Sequence, residues 1–180
     1  NIMMGYYKNQ ELTDEVIKGG YFHTGDIGHL DDDAFLVITD RKKEMFKTSG
    51  GKYVAPQVIE NVIKQSILID QVMVIGENQK FPSAVIQLNF EAVNKWLGHT
   101  EKPLTQKKLI QENKVIEKIN ADVENANSNF AQWEKVKAFR LTDDVWSIDA
   151  GHLTPTMKLK RKIIAERYIC LLYTSDAADE

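Results

Sequence analysis

An α+β fold, in which a small mixed sheet is covered by helices, is what the 180-residue sequence predicts. Apolar residues recur at helical spacing in two separate stretches, residues 55–66 and 116–130. Short apolar runs with strand character lie between and around them, at Val72–Ile75, Ala84–Leu88 and Ala138–Leu141. Helices and strands therefore interleave, and the strands are short.

Taken in chain order, residues 13–18 (TDEVIK) read as a short helical turn capped by Thr13 or Asp14 and ended by Gly19 and Gly20. Tyr21–Leu30 and Phe35–Thr39 read as two strands of a hairpin around the aspartates 31–33. A calcium loop is excluded there, because its sixth and twelfth positions would hold Leu36 and Lys42 instead of glycine and glutamate. Ala55, Val58, Ile59, Val62 and Ile63 share one helical stripe, with Pro56 in the first turn. Val72–Ile75 and Ala84–Leu88 are bounded by Gly76 and Pro82, as buried strands are. Ala92, Val93, Trp96 and Leu97 predict a brief helix. Ile116, Ile119, Val123, Ala126 and Phe130 predict a longer one with a single buried face. A strand at Ala138–Leu141 and a basic-then-apolar helical segment from Leu153 to Tyr168 complete the domain. Beyond it the helical pattern stops.

The composition, 43% hydrophobic and 27% charged, is that of a globular protein with a core of its own. A formal net charge of -3 provides no general attraction to phosphate backbones, so no nucleic-acid partner is expected. The single cysteine, Cys170, cannot form an internal disulfide, which fits a reduced, cytoplasmic compartment. His23, His29 and His152 show no ligand spacing among themselves or with a cysteine pair, and no metal site is expected among these residues. The chain opens on Asn1 in what reads as mid-loop. Its end, CLLYTSDAADE, resembles translated sequencing-adapter read-through, so residues 169–180 carry no part of the functional reading.

Three segments carry chemistry: GYFHTGDIG at 20–28, ITDRKKEMFKTSGGKYVAPQ at 38–57 and LTPTMKLKR at 153–161. Asp26 follows Gly25, where a backbone without a Cβ lets a ligand approach and a carboxylate accepts hydrogen bonds from sugar hydroxyls; a strand-end turn is the plainer reading. Arg41 presents a planar fork of donors, or a surface salt bridge. Ser49-Gly50-Gly51-Lys52 is a flexible turn, or simply a tight hairpin. Lys158 lies in a basic run, KLKRK, of the kind that is usually solvated.

Together, in this order and approximate spacing, the three segments resemble the adenylate-forming superfamily, specifically its AMP-dependent long-chain fatty acyl-CoA synthetases, over residues 1–168. The resemblance implies that residues 1–42 are the distal end of a large AMP-binding domain and residues 43–168 its carboxyl-terminal lid. It implies an enzyme that joins ATP and a fatty acid into acyl-AMP and then acyl-CoA. Asp26 would hold ribose hydroxyls and Arg41 the same nucleotide. Lys43 would be the hinge of the lid, and Gly50, Gly51 and Lys52 would border the pantetheine channel of coenzyme A. Lys158 would be the adenylation lysine, with Lys160, Arg161 and Lys162 as surface charge.

The triphosphate loop, the Mg2+ ligands and the acyl tunnel belong upstream in that family. The chain's first partner would thus be its own missing amino-terminal domain, and alone it would not turn over. The helical stretch between Asn89 and Gln132 resembles the long-chain branch. An aryl- or medium-chain acyl-CoA ligase, an amino-acid adenylation domain, and a non-catalytic module binding coenzyme A or protein stay open as alternatives, as does a membrane-peripheral position. Ala34, where a turn glycine is common, and Tyr21, where tryptophan is frequent, depart from the family pattern.

Overall fold

A computed structural model describes the backbone of residues 3–173 and, within it, the side chains other than those at 40 and 169–173. The chain divides into two compact units, residues 1–45 and 46–180.

In the first unit, helix α1 (Gln10–Val16) starts one turn earlier than its sequence pattern suggests. Asn9, not Thr13 or Asp14, is the N-cap, accepting from the Leu12 N–H at 3.0 Å. Thr13 sits instead in the last turn, where its hydroxyl donates to the Asn9 carbonyl and accepts from the Tyr6 N–H. Strands β1 (Ile17–Lys18) and β2 (Tyr21–Phe22) pair across Gly19-Gly20, both at positive φ, so these glycines form a hairpin turn and do not end the helix. The expected single strand from Tyr21 to Leu30 is therefore two: Gly25, at φ +78°, interrupts it before β3 (Asp26–Leu30). Strand β3 pairs with β4 (Leu36–Arg41) in the anticipated antiparallel hairpin. Its turn is an Asx turn, in which Asp31 Oδ1 accepts from the N–H groups of Asp33 and Phe35. Ala34 takes the left-handed conformation there, φ +62°.

The second unit opens with the short hairpin β5 (Phe46–Lys47) and β6 (Tyr53–Val54), and then α2 (Pro56–Ile63) with proline in its first turn. Strands β7 (Ile69–Ile75) and β8 (Ser83–Leu88) are antiparallel. A long crossover through α3 (Phe90–Trp96), α4 (Gln106–Leu109) and α5 (Asn113–Asn127) returns the chain to β9 (Ala138–Thr142), parallel to β8. The last helix, α6 (Arg161–Tyr173), continues five residues past Tyr168, correcting the expected stop. No glycine or proline interrupts that stretch, and its leucines favour helix. The rest of the tail, residues 174–180, lies outside the described residues.

This three-stranded mixed sheet is covered on both faces. Val72, Val74, Ala84, Ile86 and Leu88 meet Ile59 and Ile63 of α2 and Ile119, Val123 and Ala126 of α5. Met73, Ile75 and Val85, one residue out of phase, meet Trp146 and Ile164 and Tyr168 of α6. Coverage of both faces explains why β7 and β8 read as unbroken apolar runs. Each fully buried aliphatic side chain contributes about 1.5–3 kcal/mol. In α5 the buried stripe includes Val115, whereas Ile116 is only partly covered, at 37% exposure; Phe130 lies past the helix end but still packs on the core.

Candidate active site

Asp26 and Arg41 begin and end the β3–β4 hairpin and are direct partners in its register. This pairing places the Arg41 Nε 3.1 Å from Asp26 Oδ1, with both side chains reaching solvent, at 56% and 28% exposure. The turn before Asp26 is tied by its N–H donating to Thr24 Oγ1 and by the Lys42 N–H donating to the Gly25 carbonyl. The result is a partly exposed carboxylate oriented by a guanidinium, competent to accept hydrogen bonds from a polyhydroxyl ligand. An exposed ion pair of this kind adds at most about 1 kcal/mol to stability.

Lys43 is exposed in the turn that follows, which is closed by Glu44 N–H donating to the Arg41 carbonyl. The division between the two units falls between Met45 and Phe46.

Ser49–Lys52 forms the tip of the β5–β6 hairpin. The buried Thr48 closes it: its N–H donates to the Lys52 carbonyl, its Oγ1 accepts from the Lys52 N–H, and its carbonyl accepts from the Gly51 N–H. The two glycines differ. Gly51 sits at φ +79°, which strains any side chain, whereas Gly50 does not take a positive φ and a Cβ there meets nothing closer than 3.9 Å. The loop is also docked at one side, where Ser49 N–H donates to the Gln79 carbonyl, and it is less free than the sequence suggests. Lys52 Nζ lies 5.1 Å from the centre of the Trp133 ring, a cation–π contact.

Lys158 stands in a third place, a tight loop between Leu153 and Leu159, which bridge each other at its base. Thr154 organises the loop: its N–H donates to the Lys158 carbonyl at 2.8 Å, and its Oγ1 accepts from the Lys158 N–H at 3.1 Å. Met157 is held at φ +61°, and the Lys158 side chain is exposed. Asp26 and Arg41 thus belong to one unit, and the Gly51 loop and Lys158 to the other. Among the described residues no group of three histidine, cysteine, aspartate or glutamate side chains could hold a metal, so none is assigned to Mg2+.

Residues 43–168 match the family profile of the AMP-binding enzyme C-terminal domain. The chain belongs to that family. Over 169 residues it is 38% identical to a long-chain-fatty-acid–CoA ligase, FadD15, of Mycobacterium tuberculosis, covering 93% of this chain and 28% of the relative. It is 34% identical to long chain acyl-CoA synthetase 2 of Arabidopsis thaliana, covering 93% and 26%. The chain therefore spans about a quarter of the length of the curated relatives it matches. Among solved structures it resembles the A domain of a carboxylic acid reductase from Segniliparus rugosus in complex with AMP and a co-purified carboxylic acid. That likeness has a TM-score of 0.71 at 25% identity, covering 93% of this chain and 25% of that one. The adenylation domain of a carboxylate reductase from Mycobacterium chelonae has the same fold, with a TM-score of 0.72 at 23% identity, covering 92% and 24%.

Within this AMP-binding enzyme C-terminal domain, one expectation needs correcting and several working residues carried no reading. Arg161 is not surface charge. Its Nη1 donates to Glu60 at 2.9 Å and its Nη2 to the Val74 carbonyl at 2.7 Å, with the two side chains 22% and 8% exposed. The signal for Glu60 was available: it lies on the α2 face with Pro56 and Ile63, both buried, where a carboxylate needs a cation. His152, placed outside any metal set by its spacing, is buried beneath the Lys158 loop, and its carbonyl accepts from the Lys160 N–H. Tyr168 donates to Asp144 and pairs with Thr142. Burial, and then the Asp144 carboxylate, push its phenol above its ordinary range.

Proposed function

We propose that this chain is the carboxyl-terminal part of a long-chain fatty acid–CoA ligase, and that its 43–168 domain is the lid that serves two half-reactions in turn. In the first, a fatty acid carboxylate oxygen attacks the α-phosphorus of ATP and pyrophosphate leaves. In the second, the thiol of coenzyme A loses its proton and attacks the acyl carbon, and AMP leaves.

The observation that carries this reading is the Lys158 loop, in which Thr154 fixes the lysine's backbone while its ammonium-bearing side chain stays exposed. Two anions must meet in the first step, and an ammonium at the reacting phosphate offsets their repulsion and the charge that develops. Asp26 accepts hydrogen bonds from the ribose, and Arg41 holds its carboxylate in place. Gly51 and Gly50 offer coenzyme A a backbone edge without side chains, beside Lys52. Mg2+ draws its ligands from outside this chain.

Two further observations support the reading. The relatives named above are long-chain acyl-CoA ligases by their names. The β3–β4 hairpin carries Leu30, Phe35, Leu36 and Ile38 at 55–69% exposure, an apolar surface that suits a strand pair seated on a larger body. A cytoplasmic position, where ATP and coenzyme A are at hand, is part of the proposal. Among the described residues no helix is long and apolar enough to cross a membrane.

The test is Lys158→Ala in the chain joined to its large domain. Pyrophosphate release with hexadecanoate should fall about 10²- to 10³-fold, while thioester formation from supplied hexadecanoyl-adenylate persists. Adenylation at the parent rate would overturn the assignment, and turnover of benzoate in preference to hexadecanoate would overturn the substrate class.

A further inference from the structure

The basic run that follows the Lys158 loop contains one side chain that is committed inward. Arg161 Nη1 lies within hydrogen-bonding reach of both Glu60 oxygens, 2.8 Å from Oε1 and 2.9 Å from Oε2, while Nη2 donates to the Val74 carbonyl. Glu60 Oε1 in turn accepts from the Val74 N–H at 2.6 Å. Among the described residues β7 is an edge strand, so the outward N–H and C=O of Val74 face no neighbouring strand. Glu60 from α2 and Arg161 from α6 take that strand's place.

A guanidinium fork can serve a carboxylate and a carbonyl at once, which a lysine ammonium on its flexible stem does not reproduce. The anchor has a short reach. Arg161 lies three positions after Lys158, at most about 10 Å of chain. Leu159 between them closes the loop base against the buried Leu153, and Lys160 N–H donates to the His152 carbonyl. The side chain of Lys158 itself is exposed, so its direction is set by this backbone and by whatever holds it.

We infer that Arg161 is a positioning residue for Lys158: locked between Glu60 and the edge of β7, it fixes the lysine loop on the sheet so that the ammonium meets the reacting phosphate in one geometry. This inference rests on the adenylation role proposed for Lys158. Arg161 touches no substrate and acts through the lysine alone, so its removal affects the first half-reaction and spares the second.

The experiment compares Arg161→Ala, Arg161→Lys, Glu60→Gln, Lys158→Ala and the double variant Lys158→Ala/Arg161→Ala in the full-length protein. Pyrophosphate release with hexadecanoate and thioester formation from supplied hexadecanoyl-adenylate are measured for each. A misplacement of about 1 Å costs up to about 100-fold, so Arg161→Ala should lower kcat of adenylation at least about tenfold. KM for ATP and for hexadecanoate, and the rate of thioester formation, should stay within about twofold of the parent. Arg161→Lys should fall between the two, and the double variant should be no slower than Lys158→Ala.

Unchanged adenylation in Arg161→Ala, a proportional loss of both half-reactions, or a further loss on the Lys158→Ala background would each overturn the positioning role. If Arg161→Ala does not fold, the ratio of the two half-reactions in Arg161→Lys and Glu60→Gln decides: a ratio equal to the parent's refutes it. Normal adenylation by Lys158→Ala would instead remove the lysine's role, and the inference with it. A slow Lys158→Ala beside a normal Arg161→Ala overturns the inference alone.

Discussion

Tyr168 illustrates how much a single side chain carries without a pattern to announce it. Its ring packs beside Trp146 with centroids 6.2 Å apart, and its hydroxyl joins Thr142 on β9 to Asp144 in the connection that follows. The phenol is held neutral, its pKa raised by burial and then by Asp144. A raised folded pKa means that the stability it adds is complete below the unfolded value of about 10 and is lost as pH rises through the folded one. Tyr168→Phe should therefore be less stable by about 1–2 kcal/mol at pH 7, leaving the buried Thr142 short of a partner. The gap should narrow above pH ~10, where the parent must ionise or hold its proton against the solvent. Urea melts from pH 7 to 11 on both chains test this; a gap that stays constant refutes it. Legibility at this scale is uneven. Asp26 and Arg41 stand out in the sequence by their motifs, and the strand register brings the two together. Glu60 and Arg161 look like solvent-facing charges until the edge of β7 is known to lie between them.

Elements were read best where their own periodicity decides them, as for α2, β7, β8 and β9, and worst where a tertiary contact sets a boundary. The split of the 21–30 segment follows from Gly25, and the early start of α1 from an asparagine cap. Neither changes the apolar pattern. Long connections hide their order in the same way. Asn127, at the end of α5, donates through Nδ2 to the Val136 carbonyl and accepts from the Val136 N–H, both at 2.9 Å. One side-chain amide thereby imitates a strand partner and delivers the chain into β9. Asn94 does the same for Leu104, at 3.3 and 2.7 Å. Asn127→Ala leaves two buried backbone groups unpaired and should cost about 2–4 kcal/mol. A lowered urea midpoint with an unchanged slope is expected, and a midpoint within error of the parent refutes it.

At the scale of the molecule, the candidate groups are divided between two compact units, with Asp26 and Arg41 in one and Gly51 and Lys158 in the other, and the chain passes between the units near Lys43. Each motif was legible as a motif because it sits on a local hairpin or loop that its own residues close. On the proposed function, Lys158 would serve the first step and the glycine loop the second, so the backbone at the boundary would have to change its dihedrals. Lys42 and Lys43 are the central residues of the turn closed by Glu44 and Arg41. Proline at Lys43 fixes φ there and drives Lys42 out of the helical region. If one arrangement is frozen, the step that needs the other is lost. Lys43→Pro in the full-length protein should keep pyrophosphate release within about threefold of the parent and slow thioester formation about 10- to 100-fold. Both half-reactions are read on the same preparation, so a misfolded variant, slow in both, is told apart from a hinge variant, slow in one. Equal loss of the two steps, or loss of neither, places the moving bond elsewhere than Lys43.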